Sequence, residues 1–184
     1  FHALGQWFFE QIRLDNYTLD LDSTVVTRYG SQQGAKRGYN PSKPGRNSHH
    51  PLLAFVDECK MIANFWLRSG DAYTTNNFLS FLDDTMSRLV GKRVSLLRAD
   101  SGFYSKEIFD YLEQKAIKYI IVARHYSTIQ RQVAGLKNWW NIGDGLQITE
   151  TTYQSESWEA PRRLIVVRQH IHKRPKATGK QLKL

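Results

Sequence analysis

The sequence predicts an α/β fold, a mixed sheet followed by a smaller β-rich unit, and three observations predict it. Early in the chain, apolar and polar residues alternate with a period of two, as in half-buried strands. The middle then alternates strand-like and helix-like segments, an order that favours parallel strands joined by right-handed crossovers. After Lys137, short alternating runs with tryptophan and glycine return. We therefore expect three antiparallel strands, then parallel strand–helix units, then a β-rich segment.

Three strands are predicted first, and they form the antiparallel part of the sheet. Residues 1–14 have the pattern of the end of a preceding helical segment. In YTLDLDST (17–24), leucines alternate with polar residues, which is the pattern of a half-buried strand. A loop rich in glycine and proline follows. Two short apolar runs come next, PLLAFVD (51–57) and KMIANFWLR (60–68), and we expect them to pair antiparallel.

Helices and strands alternate in the rest of the core. The first helix follows a run of capping residues that begins at Thr74, and the strand after it ends at Asp100 and a turn. In order, we expect a helix over 74–90, a strand over 93–99, a helix over 105–116, a strand over 119–123 and a helix over 128–136. The core would then span residues 15–136, and residues 137–184 would form the β-rich unit with a basic tail.

Composition excludes several classes of protein. With 41% hydrophobic and 23% charged residues, the sequence is neither disordered nor collagen-like. Its apolar runs are much shorter than the roughly 20 residues that cross a bilayer, so we expect no membrane span. The single cysteine, Cys59, excludes an internal disulfide and a structural zinc site, and a reducing compartment such as the cytoplasm is expected. Because the chain begins at Phe1 inside a helical pattern, we expect a fragment of a longer protein.

The positive charge of the chain is concentrated in two stretches. Twenty-six Lys and Arg against seventeen Asp and Glu give a net charge of +9. No acidic residue occurs in 23–56 or in 160–184, and these stretches carry +5 and +8. Localised positive charge is typical of a surface that faces a polyanion. In the first stretch, glycines and prolines interleave with the cations, so backbone N–H groups and cations would meet phosphates together. The second stretch fits a solvated face or soluble tail equally well.

Two aspartates follow predicted strands. Asp22 ends the first strand and Asp100 ends the fourth, each before small polar residues and a turn. If these strands are parallel neighbours, both carboxylates emerge at the same end of the sheet, where open α/β sheets place their sites. Paired carboxylates suit Mg²⁺ or Mn²⁺, and two such ions about 3.5–4 Å apart would support phosphodiester hydrolysis. Aspartates at strand ends also serve as turn formers, and this alternative stays open.

Two segments of the chain resemble the first and second catalytic blocks of bacterial insertion-sequence transposases of the DDE class, particularly the insertion sequence 1380 and insertion sequence 4-like group. They are LDLDSTVVTRYGSQQGAKRGYNPSKPGRNSHHPLLAF (19–55) and LLRADSGFY (96–104). The resemblance implies a ribonuclease H-like core in which Asp22 and Asp100 are the first and second metal-binding acids. It also implies a third acid, a glutamate in a later box with tyrosine, arginine and lysine. No such box is present, so we expect the chain to stop before it and to be inactive alone.

The resemblance also implies the partners of the protein. A complete enzyme of this class would use two Mg²⁺ or Mn²⁺ ions, hydrolyse phosphodiesters at transposon ends and transfer the strand into target DNA. It would act as a homodimer on DNA, at the nucleoid in the bacterial cytoplasm. We expect the cations and histidines of the acid-free loop to contact the DNA backbone; they are Arg28, Lys36, Arg37, Lys43, Arg46, His49 and His50.

Two alternatives compete with this interpretation. Asp20, Asp22 and Thr24 match the DxDxT pattern of haloacid dehalogenase-like phosphatases, in which Asp20 would be the nucleophile and Asp22 the acid/base. That motif lacks a convincing phosphate-binding lysine here. The second alternative is a DNA-binding module without chemistry, in which the aspartates are structural. Metal binding that depends on Asp22 and Asp100 separates the transposase from this module.

Overall fold

Short strands and helices follow one another along the first part of the chain, in the predicted order. The structure, a computed structural model, describes residues 2–169 and divides into two units between Arg124 and His125. In chain order, the elements of the first unit are α1 (His2–Gln11), β1 (Asn16–Ser23), β2 (Val26–Thr27), β3 (Lys36–Arg37), β4 (Asn47–His49), β5 (Leu52–Val56), β6 (Met61–Trp66), α2 (Phe78–Arg88), β7 (Arg93–Ala99), α3 (Lys106–Gln114) and β8 (Lys118–Ile121).

Five of these strands form one mixed sheet in the order β6–β5–β1–β7–β8. β5 pairs antiparallel with both β6 and β1, whereas β7 pairs parallel with both β1 and β8. The predicted α/β class is therefore confirmed, with its antiparallel front half and parallel back half. This order, with the first strand at the centre, is that of a ribonuclease H-like fold, as the resemblance implied.

The core of the first unit lies on one face of this sheet. In β1, the buried residues Tyr17, Leu19 and Leu21 alternate with more exposed ones, which is the period of two seen in the sequence. The helices add apolar side chains to the same buried cluster, among them Phe9, Phe78, Phe81, Leu82, Ile108 and Leu112. Each such side chain contributes about 1.5–3 kcal/mol when fully buried. A shift of β1 by one residue would expose its buried side chains, so the core fixes the register of the strand.

Helix α2, which the sequence predicts over residues 74–90, is shorter than predicted. The capping run predicts a start at Thr74, but α2 begins at Phe78. The carbonyl groups of residues 73, 74 and 76 instead accept hydrogen bonds from the guanidinium of Arg68. Asn77, just before the helix, adopts left-handed backbone angles with φ of 54°. The segment before α2 is therefore a loop, because the side chain of Arg68 binds its carbonyl groups.

Asp84 joins α2 to strand β6. Its carboxylate accepts hydrogen bonds from Asn64 Nδ2 at 2.9 Å, from Trp66 Nε1 at 2.7 Å and from Arg88 Nε at 3.1 Å. Burial raises the pKa of this carboxyl, but the hydrogen bonds from Arg88, Asn64 and Trp66 outweigh burial and hold the pKa below its ordinary value. The ionised form of Asp84 therefore stabilises the fold.

The basic loop contains a small sheet that the sequence does not predict. Strands β2, β4 and β3 pair antiparallel in that order. Strands of two or three residues are too short to show an alternating pattern. The small sheet packs backbone to backbone on the segment after β6, because a Cβ atom at Gly38 would lie only 1.8 Å from the carbonyl oxygen of Gly70. Only glycine permits this approach.

The second unit is rich in β-structure, as predicted. Its elements are α4 (Ser127–Ala134), β9 (Trp140–Gly143), β10 (Leu146–Tyr153) and β11 (Arg162–Gln169), and the three strands pair antiparallel in the order β11–β10–β9. Most of the predicted basic tail, residues 170–184, lies outside the described residues. Among the helices described in residues 2–169, none has the length and apolar character to span a membrane.

Candidate functional site

The two predicted aspartates lie at the carboxyl ends of adjacent parallel strands. Leu21 of β1 pairs with Ala99 of β7, so the next residue on each strand is an aspartate, Asp22 and Asp100. Adjacent strands of a sheet lie about 4.8 Å apart. Residues 78 positions apart in the sequence are thereby brought side by side at one end of the sheet. Both residues are exposed.

Each aspartate is oriented by one backbone N–H group. Ser23 donates its N–H to Asp22 Oδ1 at 2.8 Å, and Gly102 donates its N–H to Asp100 Oδ1 at 2.8 Å. Gly102 belongs to a single turn of 3-10 helix, Ser101–Phe103, that follows β7. In both residues, Oδ2 has no hydrogen-bond partner within residues 2–169. One oxygen of each carboxylate is therefore open to a ligand.

The pair of carboxylates fits a hard divalent cation. Mg²⁺ and Mn²⁺ prefer oxygen ligands and bind proteins through one or a few carboxylates, with water or substrate completing the shell. Within the described part of the chain, no cluster of three or more His, Cys, Asp or Glu side chains forms a metal site. Asp22 and Asp100 are neighbouring carboxylates in this part of the protein, and their binding of a metal ion stays a prediction.

A polar cleft borders Asp100. Its volume is about 430 Å³, and it lies at the end of the sheet where the two aspartates emerge. Hydroxyl groups dominate its lining, which includes Ser23, Thr24, Tyr39, Ser42, Thr74 and Ser101. The turn below it is fixed by Arg124, whose Nε donates a hydrogen bond to the carbonyl of Ser101 at 3.0 Å. The cleft provides room for a polar substrate next to a carboxylate.

Asp20 lies two residues before Asp22 but is already paired. The Arg98 guanidinium donates two hydrogen bonds to its carboxylate, at 2.5 and 2.6 Å. Arg98 also forms an ion pair with Asp57 at 3.1 Å. The hydrogen bonds to Asp20, together with the charges of Asp20 and Asp57, raise the pKa of Arg98 above its ordinary value. A carboxylate bound in this way is a poor nucleophile, which disfavours the phosphatase alternative.

Three of the predicted DNA-contacting arginines line one cleft. Arg28, Arg37 and Arg46 border a space of about 440 Å³ on the small sheet. Tyr29, which is 70% exposed, borders the same space. The guanidinium of Arg46 lies 5.8 Å from the centre of the Tyr29 ring. Guanidinium groups bind phosphate oxygens in a planar, bidentate way, so this arginine cleft is suited to a nucleic-acid backbone.

The two predicted lysines differ in their surroundings. Lys43 donates a hydrogen bond to the hydroxyl of Tyr29 and so lies next to the arginine cleft. Lys36 does not line the cleft and forms an ion pair with Asp71 at 3.2 Å. Part of its charge is therefore neutralised within the protein. Lys43 is better placed than Lys36 to add to the positive charge of the cleft.

The two predicted histidines are buried. His49 is 4% exposed and His50 is 5% exposed. His49 belongs to β4, and a Cβ atom at Gly34 would lie 3.6 Å from its ring. The Nδ1 atom of His50 lies 2.7 Å from the carbonyl oxygen of Ala72. His49 is therefore part of the small sheet, whereas His50 borders the polar cleft next to Asp100, and the contact of either histidine with DNA stays a prediction.

Sequence reasoning did not identify the residues that support the aspartates. Thr74 looked like a helix cap, yet its side chain lies between the turns that follow Asp22 and Asp100. Arg68 and Arg124 each follow an apolar run, and nothing in the sequence shows which carbonyl groups they bind. The only feature of the sequence that could have pointed to Arg68 and Arg124 is their position at the end of an apolar run.

The chain is similar to several solved structures of transposases and of an integrase. Among solved structures, the chain is similar to piggyBac transposase in a synaptic complex with hairpin DNA, with TM-score 0.47 and 16% identity over 89% of this chain and 35% of that one. It is similar to the HTLV-2 integrase catalytic core domain in complex with magnesium, with TM-score 0.40 and 14% identity over 66% of this chain and 67% of that one. For Mos1 transposase in a paired-end complex with the left transposon end, the TM-score is 0.41 and the identity 8%, over 72% of this chain and 51% of that one.

Two further comparisons concern the sequence itself. Among curated proteins, none matches the chain significantly. A family model described as transposase DDE domain group 1 matches residues 4–177, which is nearly all of the 184-residue sequence. Because that match covers far more than half of the sequence, the chain belongs to the transposase DDE domain group 1 family.

Proposed function

We propose that this chain is a catalytic-domain portion of a DNA transposase, and that Asp22 and Asp100 are the first two acids of its metal site. The observation that carries the proposal is the pairing of Leu21 with Ala99, which makes the two aspartates neighbours at one end of the sheet. Membership of a DDE transposase family supports a general role in DNA transposition or recombination. The reaction proposed here is hydrolysis of a phosphodiester at a transposon end, followed by strand transfer.

The residues around the aspartates would each have a definite task. Asp22 and Asp100 would hold Mg²⁺ or Mn²⁺ through their open oxygens, while the N–H groups of Ser23 and Gly102 keep the carboxylates oriented. A pair of bound ions would activate the attacking oxygen and stabilise the leaving oxygen. The polar cleft beside Asp100 would receive the sugar and phosphate of the cleaved strand.

The arginine cleft would bind the DNA backbone. Arg28, Arg37 and Arg46 would contact phosphates, with Lys43 beside them and Lys36 contributing less because of Asp71. Phosphate contacts position DNA but carry no base sequence, so this affinity would fall steeply with salt and discriminate little between sequences. His49 would support the small sheet from within β4, and His50 would face the DNA at the polar cleft beside Asp100.

Two carboxylates alone would not complete the reaction. The described residues supply no third acid to the site. We propose that the third acid, a glutamate, belongs to another part of the full-length protein, which would act as a homodimer on two transposon ends. Such a protein would work at the bacterial nucleoid. This chain alone would bind metal weakly and would not nick DNA.

Calorimetric titration with Mn²⁺ tests the metal site. We expect saturable heat from the unaltered chain and its loss in Asp22→Asn and in Asp100→Asn. Asp15→Asn is the matched control, since Asp15 is also exposed and precedes β1 on the opposite end of the strand. Equal heats in all four proteins would remove the metal-site proposal. A chain that binds DNA but shows no aspartate-dependent heat would be the DNA-binding module without chemistry.

A further inference from the structure

We propose that Thr74 is a positioning residue that sets the separation of Asp22 and Asp100, and that Arg68 in turn fixes Thr74. This inference rests on the proposed metal site. It concerns the loop between β6 and α2, residues 67–77, which the sequence presents only as a connection and a helix cap. Thr74 is linked to the two aspartates through Ser23 and Gly102.

The first step is the contact between Thr74 and the turn after β1. The hydroxyl oxygen atoms of Thr74 and Ser23 lie 3.1 Å apart and share a hydrogen bond. Ser23 is the residue whose N–H orients Asp22. Movement of Thr74 would therefore move the backbone donor that holds the first carboxylate.

The second step is the contact between Thr74 and the turn after β7. A Cβ atom at Gly102 would lie 3.2 Å from both Thr74 Cγ2 and Thr74 Oγ1, and 2.9 Å from Asp100 Oδ1. The threonine side chain therefore packs directly against Gly102, the residue whose N–H orients Asp100. One side chain thus touches both backbone donors, and a change in its shape alters the distance between them.

The third step is the attachment of Thr74 to Arg68. Arg68 Nη1 donates hydrogen bonds to the carbonyl groups of Tyr73 at 3.0 Å, Thr74 at 3.3 Å and Asn76 at 2.7 Å. Its Nε donates to the carbonyl of His50 at 3.0 Å, next to the first residues of β5. Only 8% of Arg68 is exposed. A buried guanidinium with four carbonyl partners has little freedom to move, so it holds the loop in one conformation.

These contacts matter for metal binding because ligand orientation is set by the groups behind the ligands. Groups that orient metal ligands commonly change metal affinity 10- to 100-fold when they are removed. Thr74 acts on the two carboxylates through their backbone donors, so we expect an effect near the lower end of that range. Its removal leaves both ligands in place and changes only their relative position.

The experiment compares Thr74→Val, which keeps the shape of the side chain but removes the hydroxyl, with Thr74→Ser, which keeps the hydroxyl but removes the methyl group. Thr75→Val is the matched control, because Thr75 lies in the same loop, is equally half-buried and has no side-chain hydrogen bond in the described structure. The two measurements are Mn²⁺ affinity by calorimetry and the ¹⁵N–¹H resonances of Ser23 and Gly102 in the metal-free protein.

We expect Thr74→Val to weaken Mn²⁺ binding by about tenfold and to shift the Ser23 amide resonance, because this variant loses the hydroxyl but keeps the packing against Gly102. Thr74→Ser should keep the Ser23 resonance, shift that of Gly102 and give an intermediate affinity. Thr75→Val should match the unaltered chain. Arg68→Lys, which keeps the charge but loses the planar donor, should shift the same two amides.

Different results would contradict the role of Thr74 and the proposed metal site. A folded Thr74→Val protein with unchanged amide resonances, or with unchanged Mn²⁺ affinity where the unaltered chain binds Mn²⁺, would overturn the role of Thr74. An unaltered chain that shows no aspartate-dependent Mn²⁺ binding would overturn the proposed function. In that case, the amide shifts alone would still decide whether Thr74 positions the two turns.

Discussion

Removal of the three arginines of the cleft should lower the salt dependence of DNA binding by a predictable amount. Arg28, Arg37 and Arg46 border one space of about 440 Å³, so a single DNA backbone can contact all three. Each phosphate neutralised on duplex DNA contributes about 0.9 to the slope of log affinity against log salt concentration. The triple change to glutamine should therefore reduce the slope by about 2.7.

The same estimate gives a difference that is easily measured. When KCl is raised from 50 to 200 mM, the DNA affinity of the unaltered chain should fall about 40-fold more than that of the triple variant. Lys36→Gln should lower the slope by less than about 0.9, the contribution of one phosphate, because Lys36 is paired with Asp71. Fluorescence anisotropy with a labelled duplex of arbitrary sequence measures both slopes.

The control for this prediction is Arg13→Gln, an exposed arginine outside the cleft. Its slope should equal that of the unaltered chain. If Arg13→Gln lowers the slope by as much as each arginine of the triple variant does, about 0.9, then the binding is a property of the net charge and not of the cleft. That result would refute the argument that the small sheet gathers the arginines for a DNA backbone.

Three further predictions follow from single residues. Gly70→Ala should destabilise the chain by about 1–3 kcal/mol in urea denaturation, because its Cβ would lie 2.2 Å from the carbonyl oxygen of Ser48; an unchanged midpoint would contradict this close packing. Asp84→Asn should lower the free energy of unfolding at pH 7 by about 1.5–3 kcal/mol. Because the pKa of Asp84 is lowered in the folded protein, its contribution is present above the unfolded pKa and is lost as pH falls through the folded pKa. Urea titrations should therefore converge for the two proteins once the pH is below the folded pKa of Asp84, and a constant gap would contradict this. Asp20→Asn should retain Mn²⁺ binding in calorimetry, since Asp20 is paired with Arg98, and a burst of phosphate from a generic ester that depends on Asp20 would instead support phosphatase chemistry.

The sheet could be predicted because its strands carry strong local patterns. In β1, buried and more exposed residues alternate, and β7 is a short run rich in apolar residues; each strand is followed by an aspartate or ends near one, before a turn. The neighbouring positions of Asp22 and Asp100 required one further assumption, that these strands pair in parallel. Helix-like segments after each of the later strands supported that assumption, since such segments form crossovers between parallel strands.

The small sheet and the loop before α2 could not be predicted, because non-local contacts define them. β2, β3 and β4 have two or three residues each, and the segment is rich in glycine. Gly38 and Gly70 are 32 positions apart in the sequence, and their close approach has no local signal. In the same way, Thr74 has the local features of a helix cap, and only Arg68 explains why the helix starts later.

The burial of His49 and His50 has the same origin. Their position in the acid-free basic loop led to the expectation of a contact with the DNA backbone. Strand β4 turns His49 inward, and the carbonyl of Ala72 takes up His50. His49 therefore contributes to the small sheet, while His50 borders the polar cleft beside Asp100.

One segment packs against both parts of the proposed site. The backbone of Gly70 lies against Ser48 and Lys36 of the small sheet that carries the arginines. Four residues later, Thr74 contacts the turns beside the two aspartates. A span of four residues is at most about 14 Å long even when fully extended, and Arg68 holds its carbonyl groups. The length of this span therefore limits the separation between the arginine cleft and the carboxylates. We expect a DNA strand whose phosphates lie in the cleft to meet Asp22 and Asp100 within a limited number of nucleotides from that contact.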